Sequence, residues 1–167
     1  MDLKPGCKSI ERMGDYMKTA RLLGMLALGI TLWAADPAIG TWKLNLAKSK
    51  YSPGPAPKSA TITYEATADG IKRTGDSTDA DGKTTSMAYD AKYDGKEYPV
   101  TGSDAYDAIS IKRINERTSE ATLKKAGKVV STARRVVSAN GKTMTTTITG
   151  TNPKGQKMKN TAVYDKQ

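Results

Sequence analysis

Gly40-Thr41-Trp42-Lys43-Leu44 opens the part of the chain that reads as folded. Gly40 allows a turn or a close backbone approach. Thr41, Trp42 and Leu44 favour a strand, and alternation places Trp42 and Leu44 on one face. A large aromatic at the start of a first strand can plug one end of a barrel. It can equally begin an ordinary strand, so the rest of the chain has to decide.

Downstream, from Ala60 on, one design repeats. Short alternating segments run over Ala60 to Ala66, Ile71 to Ser77, Thr84 to Ala91, Glu97 to Thr101, Ala108 to Ile114, Glu120 to Lys125, Lys128 to Val137, Thr143 to Gly150 and Lys157 to Asp165. Between them stand Asp69-Gly70, Asp81-Gly82, Asp94-Gly95, Gly127, Asn140-Gly141 and Gly155. Asp-Gly and Asn-Gly suit tight hairpins because they tolerate positive φ. With the Trp42 strand, this predicts about ten antiparallel strands. A flat sheet of that width would leave exposed edges, so closure into an up-and-down β-barrel is expected.

Upstream, Lys18 and Arg21 precede an apolar run, Leu22 to Trp33, followed by the small residues Ala34 and Ala35. This is the pattern of a secretory signal peptide. The run is shorter than the roughly 20 residues a spanning helix needs. Residues 17–35 are thus expected to be a signal helix and residues 1–16 a disordered or non-native extension, with translation starting at Met17 or Met13. Residues 36–167 form the expected single domain, exported to a periplasm or secreted. No membrane span is expected to remain after cleavage, and a monomer is expected. Between the first two strands, Tyr51 to Pro57 carries three prolines at alternate positions and excludes a helix. It reads as a lid over the barrel mouth or as a stiff connector.

The chain has 167 residues, no His, one Cys (Cys7) and a net charge of +10. Without histidine, Ser-His-Asp and Cys-His nucleophile systems and His-ligated zinc or haem are excluded. No cofactor, metal site or catalytic group is expected. Asp79-Ala80-Asp81-Gly82 fits a hairpin better than a calcium loop, because Ser77 and Ala88 stand where such a loop needs Asp and Glu. Asp104 and Asp107 sit beside a turn, where Asp commonly serves the backbone. The basic stretch Lys124-Lys125, Lys128 and Arg134-Arg135 lacks interleaved aromatics, and no nucleic-acid partner is expected.

Alternation assigns the inward faces. Ile62 pairs with Tyr64, Ile71 with Arg73, Met87 with Tyr89, Tyr98 with Val100, and Ala162 with Tyr164; Ile109, Ile111 and Arg113 form another set. In Lys128 to Val137 the phase is ambiguous, and either Arg134 or Arg135 faces inward. An interior mixing aliphatics, tyrosines and arginines is not a dry core. A buried guanidinium must meet a partner, water or an anion. Candidate ligand-binding residues are Tyr64, Arg73, Met87, Tyr89, Ile111, Arg113, Arg134 and Tyr164, with Trp42 as a structural plug.

Over Ile39 to Gln167 the chain resembles the calycins, meaning the lipocalins and fatty-acid-binding proteins. The resemblance rests on Gly40 to Leu44, on the run of about ten strands and on the closing Ala162-Val163-Tyr164-Asp165-Lys166. It is nearest to the lipocalin-like domains of uncharacterised exported bacterial proteins. It implies a barrel that carries a small hydrophobic or amphiphilic molecule, acidic ones included. Two departures stand out. The arginine that fatty-acid-binding proteins carry two residues before the final tyrosine is Ala162 here. The late arginine that covers the tryptophan in lipocalins is missing, since no arginine follows Arg135. The other reading is an envelope interaction module with a basic outer surface and a packed interior. A carrier needs a cavity of several hundred Å³.

Overall fold

A computed structural model describes residues 36–167 apart from residue 153. The expected extension and signal helix over residues 1–35 lie outside the described residues.

Ten strands form one closed antiparallel barrel. They are β1 (Gly40–Leu44), β2 (Ser59–Ala66), β3 (Gly70–Thr78), β4 (Thr84–Lys92), β5 (Asp94–Thr101), β6 (Ala108–Asn115), β7 (Thr118–Lys125), β8 (Lys128–Val137), β9 (Thr143–Thr151) and β10 (Lys157–Lys166). Each strand pairs with the next, and β1 closes the ring by pairing with both β2 and β10. Closure leaves no strand edge exposed. Among the described residues, the only helical element is a single 3-10 turn, Leu46–Lys48, and no helix is long and apolar enough to cross a membrane.

Trp42 is fully buried, 0% exposed, and donates its indole N–H to the Ala38 carbonyl at 2.7 Å. Gly40 holds φ at +121°, and a Cβ there would stand 2.9 Å from the Lys166 side chain. That approach sets the Lys166 ammonium 5.1 Å from the Trp42 ring centroid. A lysine from the last strand therefore covers the tryptophan, where the lipocalin pattern has an arginine.

The proline-rich connector runs beside the sheet. Lys50 and Thr161 exchange backbone hydrogen bonds at 2.8 and 2.7 Å, and Lys159 N–H donates to the Ser52 carbonyl at 2.7 Å. The segment thus continues the β1–β10 ladder past the end of β1. Tyr51, in this segment, packs against the core but does not line the interior cavity.

Asp94-Gly95, expected as a hairpin turn, lies within β5, and the chain reverses at Tyr93. Gly95, at φ +76°, sits in a bulge where the β5–β6 register shifts. A second register shift, between β7 and β8, leaves Val130 unpaired: Leu123 faces Ser131 while Lys124 faces Val129. That extra residue fixes the phase of β8. Ser131, Arg135 and Val137 are buried, whereas Thr132, Arg134 and Val136 are exposed.

Candidate functional site

The interior holds a cavity of about 110 Å³. Its apolar part includes Ile62, Ile109, Ile111, Leu123 and Ile148. Its polar part is concentrated in two rows of cross-strand neighbours, which share a face because directly opposed residues do. One row is Tyr64, Arg73 and Tyr89 across β2, β3 and β4. The other is Ser119, Arg135 and Thr146 across β7, β8 and β9. Tyr164 and Tyr106 complete the lining. Among the described residues, no Asp or Glu lines this cavity.

The two arginines are compensated differently. Arg135 places its guanidinium carbon 4.7 Å from the Tyr64 ring centroid and donates to the Tyr93 hydroxyl at 2.9 Å. Tyr93 in turn donates to the Asp36 carboxylate at 2.5 Å. A carboxylate therefore stands one hydroxyl away from Arg135, just outside the cavity. Arg73 donates to the Met87 carbonyl at 3.2 Å, and its other neighbours are phenols. Despite burial, which works against its charge, it is held above the ordinary guanidinium value by Tyr64, Tyr89, Tyr106 and Tyr164. Arg73 is thus a half-buried cation whose partners are a carbonyl and phenols, with no carboxylate beside it in the cavity wall.

The tyrosines divide in the same way. Burial pushes Tyr89 well up, and Tyr64 beside it adds to this. Burial likewise raises Tyr106 and Tyr164, and lifts Tyr93 to about 12 with the hydrogen bond to Asp36 contributing. Tyr64 goes the other way. Burial alone would raise it, but the charges of Arg135 and Arg73 outweigh burial and hold it below the ordinary phenol value.

Near Trp42, Asp36 anchors an ionic network. The Asp36 side chain is 13% exposed and accepts from Arg113 at 2.6 Å, besides Tyr93. It also accepts the Ala38 N–H at 2.9 Å. Burial raises its carboxyl, but these donors and the Arg113 and Arg135 charges hold it below the usual carboxylate value. At the opposite end, the loop between β5 and β6 folds inward. Tyr106 donates its hydroxyl to the Met87 sulfur at 3.0 Å and lies in the cavity wall. The loop can press onto β4 because Gly102, at φ +73°, carries no side chain; a Cβ there would stand 1.7 Å from the Ser86 carbonyl oxygen.

Of the eight candidate residues, Tyr64, Arg73, Met87, Tyr89, Ile111 and Tyr164 come together in the cavity wall. Arg113 does not. It stands outside the cavity, 37% exposed, stacked 4.1 Å above the Tyr93 ring and paired with Asp36. Arg134 is also excluded: it points outward and pairs with Glu120 at 2.5 Å. The β8 bulge gives the inward place to Arg135 instead. Tyr106 escaped the sequence reading because it lies in a loop, where alternation carries no signal. Asp36 and Tyr93 escaped it for the same reason.

The outer basic stretch is interleaved with acids. Lys124 pairs with Glu97, Lys125 lies 4.0 Å from Asp107, and Arg134 pairs with Glu120. Asp79 accepts the Asp81 and Lys83 N–H groups and so serves its hairpin. Asp107 accepts the Ala126 N–H.

Comparison with protein-family models finds no match, and comparison with curated proteins finds no similar sequence. The closed ten-strand barrel is compatible with the calycin resemblance.

Proposed function

We propose that this protein is a non-enzymatic, lipocalin-like binder of one small amphiphile with an anionic head, working in an exported compartment. The observation that carries the reading is Arg73: a half-buried guanidinium in the wall of a cavity without a lining carboxylate. The anionic head would meet Arg73 and the phenols of Tyr64, Tyr89 and Tyr164. The apolar part would lie against Ile62, Ile109 and Ile111.

Size limits the ligand. A cavity of about 110 Å³ is well below the several hundred Å³ expected for a carrier of bulky molecules. It is also somewhat smaller than the roughly 150 Å³ that accepts benzene. The ligand is therefore a short acid of about six non-hydrogen atoms, unless the Tyr106 loop moves. Small ligands gain at most about 1.5 kcal/mol per atom, so a dissociation constant between about 1 μM and about 1 mM is expected. Export is supported by the signal-like pattern over residues 17–35. The acids paired with Lys124 and Arg134 count against the reading as an envelope module with a basic outer surface.

Titration calorimetry with butyrate, hexanoate and the matching alcohols tests this proposal. One carboxylate should bind per chain, at least tenfold more tightly than its alcohol. Equal affinity for acid and alcohol, or no binding of either, would refute it.

A further inference from the structure

The two polar rows of the cavity wall lie at the same end of the barrel. Successive strands run in opposite directions, and β1 begins at the end that holds Trp42. Tyr64 and Tyr89 stand late in β2 and β4, and Arg73 stands early in β3. Ser119 and Thr146 stand early in β7 and β9, and Arg135 stands late in β8. Both rows therefore occupy the Trp42 half of their strands. They also meet across the interior, because the Arg135 guanidinium carbon is 4.7 Å from the Tyr64 ring centroid. Toward the Tyr106 loop the wall turns apolar: Ile111, Ala121, Ala133 and Ile148 are cross-strand neighbours on β6 to β9 and all line the cavity.

A carboxylate placed at Arg73 addresses only one of these rows. In the other, Arg135 donates to Tyr93 and reaches Asp36 through it. The groups flanking Arg135 are the hydroxyls of Ser119, 7% exposed, and of half-buried Thr146. A hydroxyl both donates and accepts, so its natural complement is another hydroxyl.

We infer that the ligand is a 2-hydroxy acid: its carboxylate meets Arg73, the hydroxyl on the adjacent carbon meets Ser119 and Thr146, and its alkyl group points toward Ile111 and Ile148. The inference rests on the proposed binding of an anion inside the barrel and adds the class of acid. Position 2 follows from the contact between the rows, since groups that reach both must sit on neighbouring atoms of the ligand. A hydroxyl, and not a second anion, follows from the neutrality of Ser119 and Thr146 and from the Asp36 carboxylate that already serves Arg135. The size agrees, because a hydroxyl takes the room of a methyl group in a cavity of about 110 Å³. Three directions are thereby fixed at one carbon atom, so the site should distinguish mirror images.

Titration calorimetry of the wild-type protein with the two enantiomers of lactate and with isobutyrate tests this. Lactate and isobutyrate differ by a hydroxyl in place of a methyl group, so charge and size are matched. One lactate enantiomer should bind at least tenfold more tightly than isobutyrate and than its mirror image, because a site built for a hydroxyl rejects the analogue that lacks it. In the protein carrying both Ser119→Ala and Thr146→Val, the ratio of lactate to isobutyrate affinity should fall to about one. The wild-type comparison stands on its own if that variant does not fold. Butyrate or isobutyrate binding at least as tightly as both lactates overturns the inference and leaves anion binding standing. A lactate preference equal for the two enantiomers, or undiminished in the double variant, also overturns it. If neither lactate, isobutyrate nor butyrate binds, anion binding falls and the hydroxy-acid reading falls with it.

Discussion

The Arg135 guanidinium carbon stands 4.7 Å from the centroid of the Tyr64 ring. The contact joins two strands that are far apart in the barrel order, β2 and β8. It also links the cavity to the Asp36 network, because the same guanidinium donates to Tyr93, and Tyr93 donates to Asp36. Arg135 thus reaches a carboxylate through one hydroxyl, whereas Arg73 donates to the Met87 carbonyl.

That division predicts opposite behaviour for the two arginines. Arg73→Met should weaken butyrate at least tenfold and leave butanol unchanged. It should leave stability unchanged or raised, since replacing a half-buried charge that lacks a carboxylate partner with an apolar side chain relieves desolvation. Arg135→Met strands Tyr93 beside Asp36 and should cost about 1–3 kcal/mol in denaturant unfolding. Its outward neighbour is the control, because exposed ion pairs contribute little: Arg134→Met should change stability by less than about 1 kcal/mol. Equal butyrate and butanol losses in Arg73→Met would make that arginine structural.

Trp42 tests the barrel end. Trp42→Ala empties a fully buried position and removes the indole bond to Ala38, with an expected cost of about 3–5 kcal/mol. Equilibrium unfolding in urea measures it. A cost under about 1 kcal/mol would discard the role of plug.

Acid should loosen the same end. The Asp36 carboxyl lies below the ordinary value in the fold, so its contribution is present above the unfolded value of about 4. That contribution is lost as pH falls through the lower, folded value. Thermal unfolding between about pH 6 and about pH 2 should show this loss. Asp36→Asn should cost about 1–3 kcal/mol at neutral pH and flatten the acid limb. An unchanged acid limb in Asp36→Asn would remove Asp36 from the account.

Tyr106 should control access. Tyr106→Ala removes one wall of the cavity and its contact to Met87. Ligand exchange, read by NMR line shape, should become faster, and octanoate should gain relative to butyrate. Unaltered exchange and chain-length preference would place the entrance elsewhere.

Much of the barrel is written in its alternation. In β2 the buried residues Ala60, Ile62 and Tyr64 fall where a period of two puts them, because the strand has one wet and one dry face; in β10 Ala162 and Tyr164 share the inward face, but Val163 between them is buried too. In β8 the period fails at Val130. A bulge depends on which residue of the neighbouring strand is opposite, and that register is a property of two strands, invisible in either alone. The choice between Arg134 and Arg135 was decided there. Asp94-Gly95 has the chemistry of a turn, yet it serves a bulge, since positive φ at Gly95 satisfies both. Asp36, Tyr93 and Tyr106 lie outside the strands and act through distant partners, so their roles required the folded chain.

The central claim is that an anion is held inside the barrel by Arg73. Crystals of the protein soaked in bromide would locate that anion by its anomalous scattering. The account predicts a peak within hydrogen-bonding reach of the Arg73 guanidinium, inside the wall formed by Tyr64, Tyr89 and Tyr164, and its absence in Arg73→Met. Bromide found only among the exposed lysines, with an empty interior, would contradict it.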